Sequence, residues 1–237
     1  EAGESPLRFS AVAQELLGWP DGLLAGSFGG PDLPDALTIS LPEYNDCLSP
    51  TYAVPDPDKP LSWLALISTV LPGTDLDRPP ADNTGWRASP HARLERLLRE
   101  TGVPVGLLFN GSSLRLVYAP RGESSGYLTF DFAHLVDTLN RPMVSALSAL
   151  LGLGRVSDVL PEDQRLPALL RESRRYQNEV STALAGQVLE ALWELLRGFQ
   201  RADDESKGEL LREVLRQDPH EVYGGLLSTL MRLVFVL

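Results

Sequence analysis

The segment VPVGLLFNGSSLRLVYAP, residues 103–120, decides the fold because it contains two strand-like stretches around a turn signal. The first stretch is apolar apart from Pro104 and Gly106, and the second alternates leucines with other residues. Asn-Gly ahead of an alternating stretch is typical of a β-hairpin. We therefore predict a hairpin whose tight type I′ turn is formed by Asn110 and Gly111, both with positive φ.

A helix is predicted directly before this hairpin, in SPHARLERLLRETG, residues 89–102. Ser89 is suited to cap the helix and Pro90 to occupy its first position, and Gly102 is suited to end it. The spacing of the side chains turns one row of leucines inward and a row of arginines outward. These are Leu94, Leu97 and Leu98 inward, and Arg93, Arg96 and Arg99 outward.

Three further segments have the texture of strands: DALTISL, LSWLALISTVL and YLTFDF. Together with a short helix near the N-terminus, they predict a mixed α/β sheet flanked by helices over residues 1–160. Residues 161–237 form an all-helical connector in this interpretation. Its apolar residues recur at threes and fours from Leu166 to Phe199, which predicts one long helix or a broken pair. A second helix would be capped by Asp203 or Asp204, and a third would follow Pro219.

Composition excludes several classes of protein. The net charge of −11 argues against a protein that binds nucleic acid through bulk electrostatics. The single cysteine, Cys47, rules out an internal disulfide and a cysteine-based zinc site. Without a signal peptide or an apolar run of membrane-spanning length, the chain is expected to be cytoplasmic and to have no membrane partner.

Carboxylates are the remaining candidates for chemistry, because no phosphate loop, zinc-protease motif or serine-hydrolase motif is present. Asp32 and Asp35 precede a predicted strand, and Asp75 and Asp77 lie close together in a loop, so these four are the alternative metal ligands. A magnesium nuclease would also need Glu-x-Lys on the next strand, where residues 67–69 read Ile-Ser-Thr. The favoured interpretation is therefore acidic turns in water, with no catalytic residue and no metal.

A basic cluster lies near the start of the predicted long helix. Arg171, Arg174 and Arg175 have the chemistry to contact DNA phosphates. The competing interpretation, which we favour, is the solvated face of an amphipathic helix.

A helix, an apolar strand, Asn-Gly and a strand ending in an aromatic residue together resemble the second half of the PD-(D/E)xK nuclease-like domain. More widely, residues 60–237 resemble the N-terminal region of large adenine-specific DNA methyltransferases of the type IIG restriction-modification kind, which have relatives in DISARM and BREX phage defence. The strands carry the resemblance through Gly106, Leu107, Leu108, Phe109, Asn110, Gly111, Leu114, Arg115, Leu116 and Tyr118.

The resemblance implies a nuclease-like fold that is degenerate, since the Glu-x-Lys position is not kept. It also implies a downstream methylase domain that binds S-adenosylmethionine, with no cofactor in this segment. The partners implied are that domain, DNA through the full-length protein, and other defence-system subunits. We expect the apolar C-terminal helix to pack against the methylase. Two alternatives stay open: an active Mg²⁺-dependent DNA nuclease, and a protein-interaction scaffold with no nucleic-acid role.

Overall fold

In the computed structural model, the described residues are 7–80, 85–137, 141–209 and 211–236. They divide into two compact units, Glu1–Arg171 and Glu172–Leu237. The first unit holds all the strands and is of mixed α/β class, as predicted, whereas the second is helical. No helix in the described parts of the chain is both long and apolar enough to cross a bilayer.

Seven strands form two sheets in the described residues. The strands are β1 (Ile39–Leu41), β2 (Asp46–Leu48), β3 (Tyr52–Pro55), β4 (Trp63–Thr69), β5 (Val105–Phe109), β6 (Ser113–Tyr118) and β7 (Gly126–Asp131). β1 and β2 pair with each other, and the other five form one sheet in the order β3-β4-β5-β6-β7. Among the described strands only β4 and β5 run parallel, so these strands are joined through one crossover connection.

Eight α-helices accompany the sheets in the part of the chain that the structure describes. They are α1 (Phe9–Ala11), α2 (Pro90–Thr101), α3 (Phe132–Asp137), α4 (Arg141–Leu151), α5 (Leu153–Val156), α6 (Leu166–Glu205), α7 (Arg212–Gln217) and α8 (Pro219–Val236). A π-helical segment, Val12–Leu16, continues α1, and short 3₁₀ turns lie at Asp35–Leu37, Pro42–Tyr44 and Glu162–Gln164.

Helix α2 supplies the crossover, and its ends follow the predicted capping signals. The Ser89 hydroxyl accepts a hydrogen bond from the Ala92 amide, and Pro90 is the first helical residue. Gly102 ends the helix with φ +78°, a conformation that favours glycine. The capping prediction is therefore confirmed at both ends.

The five-stranded sheet is covered on both faces in the first unit. One face, including Ile67 and Leu107, packs in a core with Phe9 near the N-terminus and Leu151 of α4. The Trp19 indole donates to the Leu151 carbonyl at 2.7 Å within that core. The opposite face packs against α2. Its contacts involve Leu66, Leu108 and Val117 from the sheet and Leu94, Leu97 and Leu98 from the helix.

The predicted hairpin is formed by β5 and β6, but its turn differs from the type I′ turn that was expected. Only Gly111 has a positive φ, +84°, whereas Asn110 does not. Gly111 and Ser112 are the central residues, with the sign pattern of a type II′ turn. The Asn110 side chain bonds elsewhere: it accepts from the Ser113 amide at 2.8 Å and donates to the Thr74 carbonyl at 2.9 Å. These contacts hold Asn110 in an ordinary backbone conformation.

A buried arginine joins the β3–β4 connection to the residues just before α6. Arg165 pairs with Asp58, lies 3.9 Å from Asp56, and donates to the Leu160 carbonyl at 3.0 Å. The Arg165 side chain is only 5% exposed, so these partners are needed to offset the cost of burying its positive charge.

The second unit contains most of α6 together with α7 and α8. The predicted long segment is one uninterrupted helix. The expectation that Asp203 or Asp204 starts the following helix is wrong, because both residues lie in the last turns of α6. Asp203 instead accepts a hydrogen bond from the Leu211 amide, just before α7, at 2.9 Å. In α8, Leu226 and Leu230 are buried. The predicted apolar residues at 233–237 cannot be assessed in the same way, because Leu237 and the side chains of 233–236 lie outside what the structure describes.

Candidate functional site

A cleft of about 490 Å³ opens where β4 and β5 end, next to the start of α2. Parallel strands place their carboxyl ends at one edge of a sheet, and ligands of α/β folds commonly bind there. Its polar lining consists of Cys47, Ser49, Thr51, Ser68 and Thr69 with Arg93, and the remaining lining is apolar. The segment Ile-Ser-Thr, at which a nuclease would need Glu-x-Lys, therefore contributes two hydroxyl residues to this cleft.

Some hydroxyl groups of the cleft already make hydrogen bonds with other described residues, and others do not. Thr51 Oγ1 accepts from the Thr69 amide at 2.9 Å and lies 3.1 Å from Thr69 Oγ1. The hydroxyls of Ser49 and Ser68 make no hydrogen bond in the described parts of the chain. Ser68 is half-buried on the wall, so its hydroxyl is available to a ligand in a partly dry setting.

The arginine at the cleft is neutralised by a carboxylate behind it. Arg93 Nη1 donates to Asp46 Oδ2 at 2.7 Å and to the Trp86 carbonyl at 3.0 Å. Asp46 also accepts from the amides of Trp86 and Cys47. The hydrogen bond from Arg93 is the main reason that the pKa of Asp46 falls to about 2. Neither a carboxylate nor a lysine is found among the described lining residues.

A second polar cluster lies on the same face of the sheet, around Arg115 of β6. The guanidinium forms a bidentate pair with Asp77, with N–O distances of 2.5 and 2.8 Å, and its Nε donates to Thr129 at 2.9 Å. It also lies 4.4 Å from the ring centre of Tyr127. Arg115 is 7% exposed, and its hydrogen bonds hold the pKa of Asp77 below its usual value. This arrangement fixes a buried charge and leaves little room for chemistry.

His91 borders the same cluster in the first turn of α2. Its ring meets that of Tyr127 edge-on, with centres 4.9 Å apart. Its Nδ1 atom is buried and has no hydrogen-bond partner in the described residues. Burial, followed by the charge of Arg115, lowers the pKa of His91, so the neutral ring is favoured. Its partner Tyr127 is distant in sequence, so no local pattern around His91 predicts this contact.

The four aspartates considered as metal ligands do not converge. Asp32 and Asp35 are exposed before β1, and Asp75 and Asp77 belong to another loop. Asp75 accepts from the Asp77 amide at 2.8 Å, as in an ordinary acidic turn, and Asp77 is paired with Arg115. No cluster of three or more metal-ligating side chains occurs in the described ranges.

The basic cluster at the start of α6 is partly engaged in ion pairs. Arg175 bonds Glu172 at 2.5 Å and approaches Glu179 at 3.7 Å, whereas Arg174 approaches the Gln177 side chain at 3.4 Å. These i,i+3 and i,i+4 contacts are typical of a solvated helix face. Contact of these arginines, including the exposed Arg171, with DNA stays a prediction.

An apolar groove of about 590 Å³ marks the second unit. It lies between the second half of α6 and Leu230 of α8, and Leu195 and Phe199 line it. Beyond the groove, Leu189 and Trp193 expose 69% and 55% of their surface. Such a concentration of exposed apolar residues is unusual for a surface facing only water.

Comparison with known proteins gave one family. The model of the family described as MmeI, N-terminal domain matches residues 43–198, which is more than half of the chain. No curated protein and no solved structure matches the chain. The matched range contains the whole five-stranded sheet and more than half of α6. The chain therefore belongs to the MmeI N-terminal domain family and represents the N-terminal region of a protein of the restriction-modification type.

Proposed function

We propose that this chain is a non-catalytic N-terminal module of an adenine-specific DNA methyltransferase in a bacterial restriction-modification or phage-defence system. Membership of the MmeI N-terminal domain family supports the restriction-modification setting. The lining of the cleft supports the non-catalytic role. Hydrolysis assisted by Mg²⁺ requires converging carboxylates, and the described lining offers hydroxyls, a thiol and an arginine that is already paired.

In this proposal the helical unit connects the sheet to the methylase domain of the same polypeptide. The family is named for an N-terminal domain, which agrees with a further domain downstream. The groove between α6 and α8 would receive an apolar surface of that domain. Covering a large apolar side chain is worth roughly 1.5–3 kcal/mol, so Leu195 and Phe199 of the groove provide substantial docking energy.

S-adenosylmethionine would bind in the methylase domain and not in this segment. DNA would be engaged by the full-length protein, with Arg171, Arg174 and Arg175 as a secondary contact, and other defence-system subunits would be further partners. All of this would take place in the cytoplasm. The net charge of −11 favours one competing function, a protein-interaction scaffold without a nucleic-acid role.

The catalytic part of the proposal is tested with plasmid DNA, Mg²⁺ and S-adenosylmethionine. We expect the 237-residue chain neither to nick the plasmid nor to transfer methyl groups, and the full-length parent protein to methylate adenine. Nicking that requires Mg²⁺ and disappears in Asp32→Ala or Asp35→Ala would establish the nuclease alternative. A parent protein without methyl transfer would favour the scaffold.

The docking part has a separate test with an environment-sensitive hydrophobic dye. We expect the 237-residue chain to bind the dye and the full-length protein to bind much less, because the methylase domain covers the groove. In the 237-residue chain, Phe199→Ser in the groove should reduce dye binding, whereas Trp63→Phe in the sheet should leave it unchanged. Equal dye binding by the chain and the full-length protein would contradict docking at this groove.

A further inference from the structure

We infer that the cleft at the carboxyl ends of β4 and β5 binds an uncharged nucleobase. The choice of a nucleobase among neutral planar ligands rests on the proposed function, because it assumes a role beside DNA. The existence of a ligand site rests on the cleft itself. A cavity of about 490 Å³ with mixed polar and apolar walls has the size that small-molecule sites commonly have.

The charges around the cleft argue for a neutral ligand. Arg93 is held by Asp46 at 2.7 Å and by the Trp86 carbonyl, so its charge is already compensated and a phosphate group would have to compete for it. No carboxylate is found among the described lining residues to attract a cation. A ligand with neither charge therefore fits the site best.

The hydrogen-bonding groups argue for a ligand that both donates and accepts. Ser49 and Ser68 have hydroxyls without a partner in the described residues, and each can donate one hydrogen bond and accept two. Thr51 and Thr69 are bonded to each other but keep part of their capacity. The edge of a nucleobase carries both hydrogen-bond donors and acceptors. Serine and threonine hydroxyls can donate to the acceptors and accept from the donors.

The apolar lining of the cleft suits contact with the flat face of a base. Leu94 and Leu97 of α2 and Leu108 of β5 belong to the buried core and close the inner end of the cleft, whereas Leu71 is exposed. Enzymes that take a base out of a duplex hold it in the same manner, with polar contacts at its edge and apolar side chains against its faces. Leu71 is 80% exposed without a ligand, which leaves apolar surface at the mouth to be covered.

The only cysteine of the chain gives a direct test. Cys47 is exposed and lines the cleft, so the rate at which N-ethylmaleimide alkylates it reports whether the cleft is occupied. We expect deoxyadenosine, or another of the four deoxynucleosides, to slow alkylation by about tenfold at ten times its Kd. Deoxyribose and inorganic phosphate should give no protection.

Variants separate binding in the cleft from binding elsewhere. Ser68→Leu fills the wall and should abolish protection, whereas Ser181→Leu makes the same change on the exposed surface of α6 and should preserve it. Ser68→Ala removes the hydroxyl with little change in volume and should weaken protection even if the leucine variant does not fold. Melting curves establish that each variant is folded.

Oligonucleotides identify the source of the base. Protection by single-stranded DNA indicates a base extruded from a strand, and protection by free nucleosides alone indicates a soluble nucleoside; both outcomes support the site. Unchanged alkylation at millimolar concentrations of every nucleoside and of single-stranded DNA would overturn it, as would equal protection by phosphate. Such a failure leaves the proposed function standing, because methyl transfer by the parent and dye binding at the α6–α8 groove are measured independently.

Discussion

Replacing Asp46 by asparagine should destabilise the first unit in a manner that depends on pH. The Asp46 carboxylate binds Arg93 of α2 at 2.7 Å and accepts two backbone amides, those of Trp86 and Cys47. It therefore joins β2, the segment before α2 and the helix itself. Asparagine has one acceptor oxygen and no charge, so it cannot satisfy all three donors.

The magnitude follows from the pKa of Asp46. A fall from 3.8 to about 2 on folding corresponds to at most about 2.4 kcal/mol of stability at neutral pH. The side chain is 17% exposed, so solvent screening reduces the expected loss in Asp46→Asn to about 1–2 kcal/mol. Because the folded pKa is depressed, this stability is fully present above pH 3.8 and is lost as the pH falls through about 2.

Denaturant unfolding at pH 7 and at pH 3 measures this effect. The free-energy gap between the wild type and Asp46→Asn should shrink at pH 3 to roughly half its value at pH 7. Asp32→Asn, the same change at an exposed loop position, serves as the matched control and should show little gap at either pH. A gap of equal size at both pH values would refute the reasoning, since the lost stability would then not come from the ionised carboxylate.

Three other substitutions have expected outcomes. Asp77→Ala should lower the free energy of unfolding in urea by about 1–2 kcal/mol, because it leaves the buried Arg115 charge without its bidentate partner while water screens the 56% exposed Asp77 side; a loss below about 0.5 kcal/mol would show that solvent compensates the guanidinium. Gly102→Ala should cost about 1 kcal/mol at φ +78°, and Gly126→Ala, where φ is not positive, much less; equal melting temperatures for the two would contradict this. Arg165→Met should make the β3–β4 connection easier to cleave in limited proteolysis, because its aspartates lose their shared partner; an unchanged cleavage pattern would count against that role.

Local signals were sufficient to predict several elements of the fold. The capping of α2 depends on residues within the helix and at its ends, so Ser89 and Gly102 could be assigned from the sequence alone. The turn after β5 could not, because the Asn110 side chain is committed to the carbonyl of Thr74, which is distant in sequence. The choice between turn types was therefore made by a tertiary contact that no local pattern encodes.

The candidate site was harder to predict because it is assembled from separate segments. The cleft combines β4, β5, the start of α2 and the segment around Cys47, none of which has a binding motif of its own. One residue does signal part of the site: Arg115 lies on a buried strand between apolar neighbours, where an arginine requires a partner. That partner is Asp77, one of the four aspartates proposed as alternative metal ligands.

The single parallel pairing in the sheet imposes an order on folding. Short connections join β5, β6 and β7, so these strands can pair early through local turns, and the same holds for β3 and β4. Before the first hydrogen bond between β4 and β5 can form, the connection of residues 70–104 must be closed into a loop, which costs conformational entropy. This cost is offset only when α2 packs on both strands. The two antiparallel pieces thus become one sheet only through the crossover helix, and the cleft at their junction comes into being in that same step.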